Sequence, residues 1–159
     1  MDTEFEKARS YAYRLLAFRQ RTRKELGLRL RQKGFAPELT GQVLDLLAEY
    51  GYIDDRVFAC NWVEQRLGKR GLKGLKHELL ERGISAKTIS EVLAELGSDA
   101  EYNAALELAK KTLQRGDRVF SCTRLAGALS RRGYSSEVIN QVCRAARDGL
   151  INVQLDNHK

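Results

Sequence analysis

Residues 23–36 read RKELGLRLRQKGFA, residues 72–85 read LKGLKHELLERGIS and residues 122–135 read CTRLAGALSRRGYS. Superposed, the three stretches share two leucines four apart: Leu26 and Leu30, Leu75 and Leu79, Leu125 and Leu129. A basic residue and a glycine follow each pair, at Lys33-Gly34, Arg82-Gly83 and Arg132-Gly133. Next comes a large apolar residue (Phe35, Ile84, Tyr134), then a small or capping one (Ala36, Ser85, Ser135). The copies lie 49 and 50 positions apart, and a period near that length marks repeated supersecondary units. Leucines four apart share one face of a helix. Glycine just past a helix supplies the left-handed residue that ends it, and a cation in the last turn is favoured by the helix dipole. Lys33, Arg82 and Arg132 are therefore read mainly as helix-ending devices. Such an array offers a long surface rather than a pocket.

Outward from this pattern, each repeat reads as three helices. In the first, Phe5, Ala8, Ala12, Leu15, Leu16 and Phe18 have helical spacing. An Arg/Thr-rich turn at 20–22 precedes the helix of about 23–33. Pro37 suits the first turn of a third helix, whose stripe is Leu39, Val43, Leu46, Leu47 and Tyr50. Val57, Phe58, Trp62, Val63 and Leu67 open the second repeat, and Ile89, Val92, Leu93 and Leu96 close it. Ala105, Leu108, Ala109 and Leu113 open the third, and Val138, Ile139, Val142 and Cys143 close it. The expected fold is all-α: three tandem three-helix repeats over 1–53, 54–98 and 99–150, forming an elongated curved array, with a frayed tail over 151–159. The connection 114–122 is longer than its counterparts and is expected to be the loosest turn.

The 159 residues carry a net charge of +7 and a pI near 9.5, a field that favours polyanions or acidic protein surfaces. The distribution is more telling than the total. Stretches 19–33, 66–82 and 110–132 hold 20 of the 28 bases and 4 of the 21 acids, so the charge gathers at the same part of each repeat. On a helical wheel Lys24 and Arg31 point away from Leu26, and Lys73 and Lys76 away from Leu75, which makes all four solvent-facing. The candidate binding face comprises Arg23, Lys24, Arg31, Arg66, Lys69, Arg70, Lys73, Lys76, Arg118, Arg124 and Arg131.

Several chemistries find no support. There is no G-x-x-x-x-G-K-[ST] and no G-x-G-x-x-G, so no phosphate loop is signalled. Gly71-Leu72-Lys73-Gly74 matches a GXXG loop but lies in helical surroundings, and chance accounts for it. His77 and His158 build neither a zinc site nor a Ser/His/Asp arrangement. Asp54-Asp55 sits at a helix start, where an acid caps exposed N–H groups. Cys60, Cys122 and Cys143 are odd in number, lack metal-ligand spacing and read as small buried hydrophobes. No apolar run is long enough to span a membrane and the acidic start is not a signal peptide, so the expectation is a cytoplasmic protein that is not an enzyme.

The segment Gly51-Tyr52-Ile53-Asp54-Asp55-Arg56-Val57-Phe58-Ala59, followed by Trp62, Arg66, Gly71, Glu78-Leu79 and Arg82-Gly83-Ile84, resembles the signature of the RecX family. The first repeat is similar at Leu15-Leu16-Ala17 and from Arg23-Lys24-Glu25-Leu26 to Lys33-Gly34-Phe35. The third is similar at Arg131-Arg132-Gly133-Tyr134, so the likeness runs from about residue 8 to 149. The resemblance implies a small regulator of the RecA recombinase in recombination, DNA repair and the SOS response. Such a protein binds RecA, lodges in the groove of its filament on DNA, and modulates ATP hydrolysis, strand exchange and repressor cleavage. It implies no catalytic residue and no cofactor, a monomer, and contact with RecA and with the DNA phosphates of the filament. Two other readings of the residues stand beside it: a DNA-binding module whose second helices act as recognition helices, and a helical scaffold for an unrelated acidic partner.

Overall fold

A computed structural model describes residues 3–115 and 121–151. Arg118, most of the connection 114–122 and the tail beyond Ile151 lie outside the described residues. Among the described residues there are nine helices and no strand. They are α1 (Glu4–Phe18), α2 (Arg23–Gln32), α3 (Pro37–Glu49), α4 (Asp55–Arg66), α5 (Leu72–Glu81), α6 (Ala86–Ala94), α7 (Ala100–Arg115), α8 (Cys122–Arg131) and α9 (Ser136–Arg147). The repeated stretches are α2, α5 and α8 with the turns that end them, so the period of about 50 residues is three helices long.

Local chemistry explains each part of the repeated pattern. In every copy the residue after the glycine donates its N–H back to the second leucine: Phe35 to Leu30 at 3.2 Å, Ile84 to Leu79 at 3.1 Å and Tyr134 to Leu129 at 3.3 Å. The glycine itself donates one residue further on, to Arg31, Leu80 and Ser130. This is the paired bonding of a Schellman cap, which satisfies carbonyls that the helix leaves open. It needs a left-handed residue at its centre, and Gly34, Gly83 and Gly133 have φ of 103°, 83° and 79°. The apolar residue beyond the glycine closes over the same leucine, so Ile84 and Tyr134 are 2% and 3% exposed. All six repeated leucines are buried.

The helix starts are capped with similar economy. Thr3 with Glu6 and Thr22 with Glu25 form capping boxes on α1 and α2. Asp54 accepts from the N–H groups of Arg56 and Val57 at the start of α4, and Ser85, Ser121 and Ser135 cap α6, α8 and α9. Pro37 occupies the first turn of α3.

The chain divides into two compact units, one of Met1–Trp62 with Leu79–Val92 and one of Val63–Glu78 with Leu93–Lys159. In the first unit Ala8 and Ala12 of α1 pack with Leu26, Leu30, Val43, Leu44, Leu47 and Ile53. In the second, Ala105 and Ala109 of α7 take the place of that alanine pair, beside Leu125, Leu129, Tyr134, Val142 and Cys143. Alanines four apart keep one face of a helix thin, which lets the neighbouring leucines approach closely. The helices α4, α5 and α6 contribute residues to both units.

Candidate interaction surface

In the first unit the start of α2 is held against the turn that ends α5. Thr22, wholly buried, donates its hydroxyl to the Arg82 carbonyl at 2.7 Å while accepting from Glu25 N–H. Arg23 N–H donates to Asp55 Oδ1 at 2.9 Å, so the first acid of α4 caps α2 rather than its own helix. Lys24 lays its stem over Gly83 and donates Nζ to the Glu81 carbonyl at 3.2 Å. The Arg82 guanidinium pairs with Glu25 and lies 3.9 Å from the Trp62 ring centroid and 5.9 Å from that of Phe58, whose ring is nearly parallel to the Trp62 ring. A cation on an aromatic face that also meets a carboxylate is worth roughly 1–2 kcal/mol.

The second unit uses the same device on the start of α5. Gly71 N–H donates to the Arg132 carbonyl at 2.9 Å, and Lys73 N–H to the Gly133 carbonyl at 3.1 Å. Glu101, near the start of α7 and 7% exposed, plays the part that Asp55 plays in the first unit. Its Oε1 accepts from Leu72 N–H at 3.0 Å and from Ser135 N–H at 3.1 Å, and its Oε2 from the Ser135 hydroxyl at 3.0 Å. A buried carboxylate is tolerated when donors surround it in this way. Burial pushes the Tyr134 phenol above its ordinary range, against the opposing influence of Arg132 and with that of Glu101; the neutral hydroxyl donates to the Leu67 carbonyl at 3.3 Å.

These contacts give the Arg-Gly pairs of the second and third repeats a further task. Each pair ends its own helix and presents its arginine carbonyl to the start of the preceding repeat's second helix. Thr22 and Glu101 were not singled out by the sequence, and Asp55 was read only as an acid at the start of its own helix. The Thr22-x-x-Glu25 spacing signals a capping box, but nothing local shows that Asp55 and Glu101 reach a different helix. Thr22→Val keeps the volume and removes the hydroxyl, leaving Glu25 N–H without its acceptor beside an unsatisfied Arg82 carbonyl. A loss of about 2 kcal/mol is expected by urea unfolding.

The basic residues separate into two groups. Arg66 and Arg70 both pair with Glu78, at 3.4 and 2.9 Å, and so help to join the end of α4 and its turn to α5. Arg23 pairs with Asp45, and Lys24 is engaged at Glu81. Arg31, Lys69, Lys73, Lys76, Arg124 and Arg131 are exposed and carry no side-chain ion pair among the described residues. Of the four lysines and arginines expected to face solvent, Arg31, Lys73 and Lys76 do so without an ion-pair partner among the described residues, and Lys24 does so while bound at its tip. The glycines of the GXXG match are also explained. Gly71 and Gly74 are the points where the α5 backbone meets the turn after α8.

No group of His, Cys, Asp or Glu able to hold a metal occurs among the described residues. A cleft of about 700 Å³ lies beside Glu101, lined in part by Leu72, Leu93, Leu96, Tyr102 and Val138. Its one buried carboxylate already serves three donors that hold helix starts in place, which gives it a structural task. Cys143 is buried as expected, whereas Cys60 and Cys122 are half-exposed. No helix among the described residues is long and apolar enough to cross a membrane.

Comparison with known proteins adds the following. Residues 8–47 match the family model for the first three-helix domain of RecX, and residues 54–93 match the model for the second. The regulatory protein RecX of Mycobacterium sp. (strain JLS) is 37% identical over 142 residues, covering 84% of this chain and 78% of its own length. That of Streptomyces coelicolor is 38% identical over 146 residues, covering 89% of this chain and 78% of its own. The crystal structure of RecX from Lactobacillus salivarius superposes with a TM-score of 0.78 at 20% identity, over 90% of this chain and 96% of that one. A second crystal structure, of a regulatory protein RecX, gives 0.76 at 23% identity, over 87% and 72%. The two superpositions bear on the fold.

Proposed function

The chain belongs to the RecX family, and from that premise we propose that it regulates the RecA recombinase by binding RecA and its filament on DNA. The regulation is mostly inhibitory and acts on ATP hydrolysis, strand exchange and repressor cleavage. Family membership is the observation that carries this reading. The exposed bases Arg31, Lys69, Lys73, Lys76, Arg124 and Arg131 support it, because they lie on the second helices or in the turn before α5. Charge-assisted contacts from such a surface suit acidic recombinase side chains, filament phosphates or both. Contacts spread over neighbouring recombinase subunits hinder the subunit movements that accompany ATP turnover. Lys24, Arg23, Arg66 and Arg70 act first by holding helices together, and they add to binding through the charge that remains exposed.

The rival reading is a DNA-binding module that works alone. Base reading needs a set of Arg, Asn or Gln side chains on one face, and the lysine-rich start of α5 suits phosphate contact better. Fluorescence anisotropy separates the two. With labelled DNA and no recombinase, binding is expected to be sequence-independent, with Kd on the order of 1–100 μM, and to collapse with salt. With RecA filaments it is expected to be much tighter. Tight sequence-specific binding to DNA alone would contradict the proposal.

A further inference from the structure

We propose that Cys122 and Cys143 form a peroxide-responsive dithiol that closes into a disulfide joining α8 to α9. The two residues are 21 positions apart, and the helices bring them together. Each sulfur lies 3.8 Å from the other residue's backbone carbonyl oxygen, so each thiol donates across the gap between the two helices. They line a groove of about 630 Å³ between the two helices, together with Ala126, Ser130, Ile139 and Arg147. A small oxidant therefore reaches the pair from solvent.

The two sulfurs differ in setting. Cys122 is half-exposed and is the first residue of α8, directly after the Ser121 cap. The Arg147 guanidinium donates Nε–H to its sulfur at 3.1 Å. A helix start and a guanidinium both place positive potential beside this half-exposed sulfur, which is the one an oxidant from solvent meets first. Cys143 is 5% exposed. Burial pushes its thiol upward, Cys122 beside it adds to that, and Arg147 opposes it. Cys143 therefore keeps its proton and serves as the resolving partner.

The chemistry balances with a hydroperoxide, ROOH, as oxidant. Cys122 Sγ attacks the distal oxygen; the S–O bond forms, the O–O bond breaks, and ROH leaves with the proton that Cys122 gave up. Cys143 Sγ then attacks the Cys122 sulfenic acid. The S–S bond forms, the S–O bond breaks, and the departing hydroxide takes the Cys143 proton and leaves as water. Two thiols lose two electrons and two protons, and the peroxide is reduced to an alcohol and water.

The full chain is treated with hydrogen peroxide, quenched, denatured, alkylated with N-ethylmaleimide and mapped by mass spectrometry. Cys122 and Cys143 are expected to leave the alkylated pool together, to appear as one linked peptide, and to return on reduction, while Cys60 stays alkylated. In Cys143→Ser, Cys122 is expected to stop at a dimedone-reactive sulfenic acid. Mapping of the unaltered chain decides the matter even if that variant does not fold. Full alkylation of both residues after a peroxide dose that oxidises a free cysteine peptide would overturn the proposal. So would linkage of Cys122 to Cys60 in place of Cys143.

Discussion

Gly71→Ala is expected to destabilise the protein by about 3 kcal/mol or more, a large share of the roughly 5–15 kcal/mol that holds a domain of ordinary stability. A Cβ at Gly71 would lie well under 3.0 Å from the Tyr134 backbone nitrogen and Cα. The obstacle is main chain, so no side-chain rotation relieves it. Separation would also break the Gly71-to-Arg132 and Lys73-to-Gly133 hydrogen bonds and draw Leu72 N–H away from Glu101. Buried donors and acceptors left open cost about 1–3 kcal/mol each. Gly41→Ala is the control. Gly41 lies inside α3 with open space around its added Cβ, so alanine should stabilise by about 0.5–1 kcal/mol. Urea unfolding of both variants checks the pair, and equal, small effects would show that the turn after α8 does not seat α5 this closely.

The second large effect concerns partner binding. Lys69→Ala, Lys73→Ala and Lys76→Ala together remove three exposed charges that make no ion pair among the described residues. Nothing packed is lost, and alanine suits the helix interior at Lys76. Stability should stay within about 0.5 kcal/mol for each change. If each lysine contributes about 0.7 kcal/mol of charge-assisted contact, affinity for the recombinase filament falls on the order of 30-fold. The salt dependence of binding should flatten in parallel. Arg66→Ala with Arg70→Ala is the contrasting pair. It takes both arginines away from Glu78 and acts on the stability of the second unit as well as on charge.

The parts of the fold that depend on near neighbours were open to reading. Leu26 with Leu30 and Lys33 with Gly34 obey rules that span a single turn, and the structure places all four as those rules require. Pro37 and the Asp54 cap follow for the same reason. What escaped depends on residues distant in the chain. Asp55 looked like a cap for its own helix because the α2 start it serves is 32 positions away. Arg66 and Arg70 looked like free surface charge because Glu78 meets them only once α4 and α5 fold together. Gly71 and Gly74 looked accidental because the turn they accommodate lies about 60 positions on. Cys122 and Cys143 lack any recognisable spacing because two different helices bring them together.

In the proposed mechanism the exposed bases on and beside the second helices carry the effect on the recombinase. The most direct measurement is ATP hydrolysis by RecA on single-stranded DNA, titrated with the unaltered chain and with the Lys69/Lys73/Lys76 triple-alanine variant. Both proteins are checked for equal helicity by circular dichroism. Suppression by the unaltered chain, with a midpoint shifted on the order of 30-fold higher for the variant, is the predicted result. Equal suppression by the two folded proteins, or no change in hydrolysis with either, would contradict it.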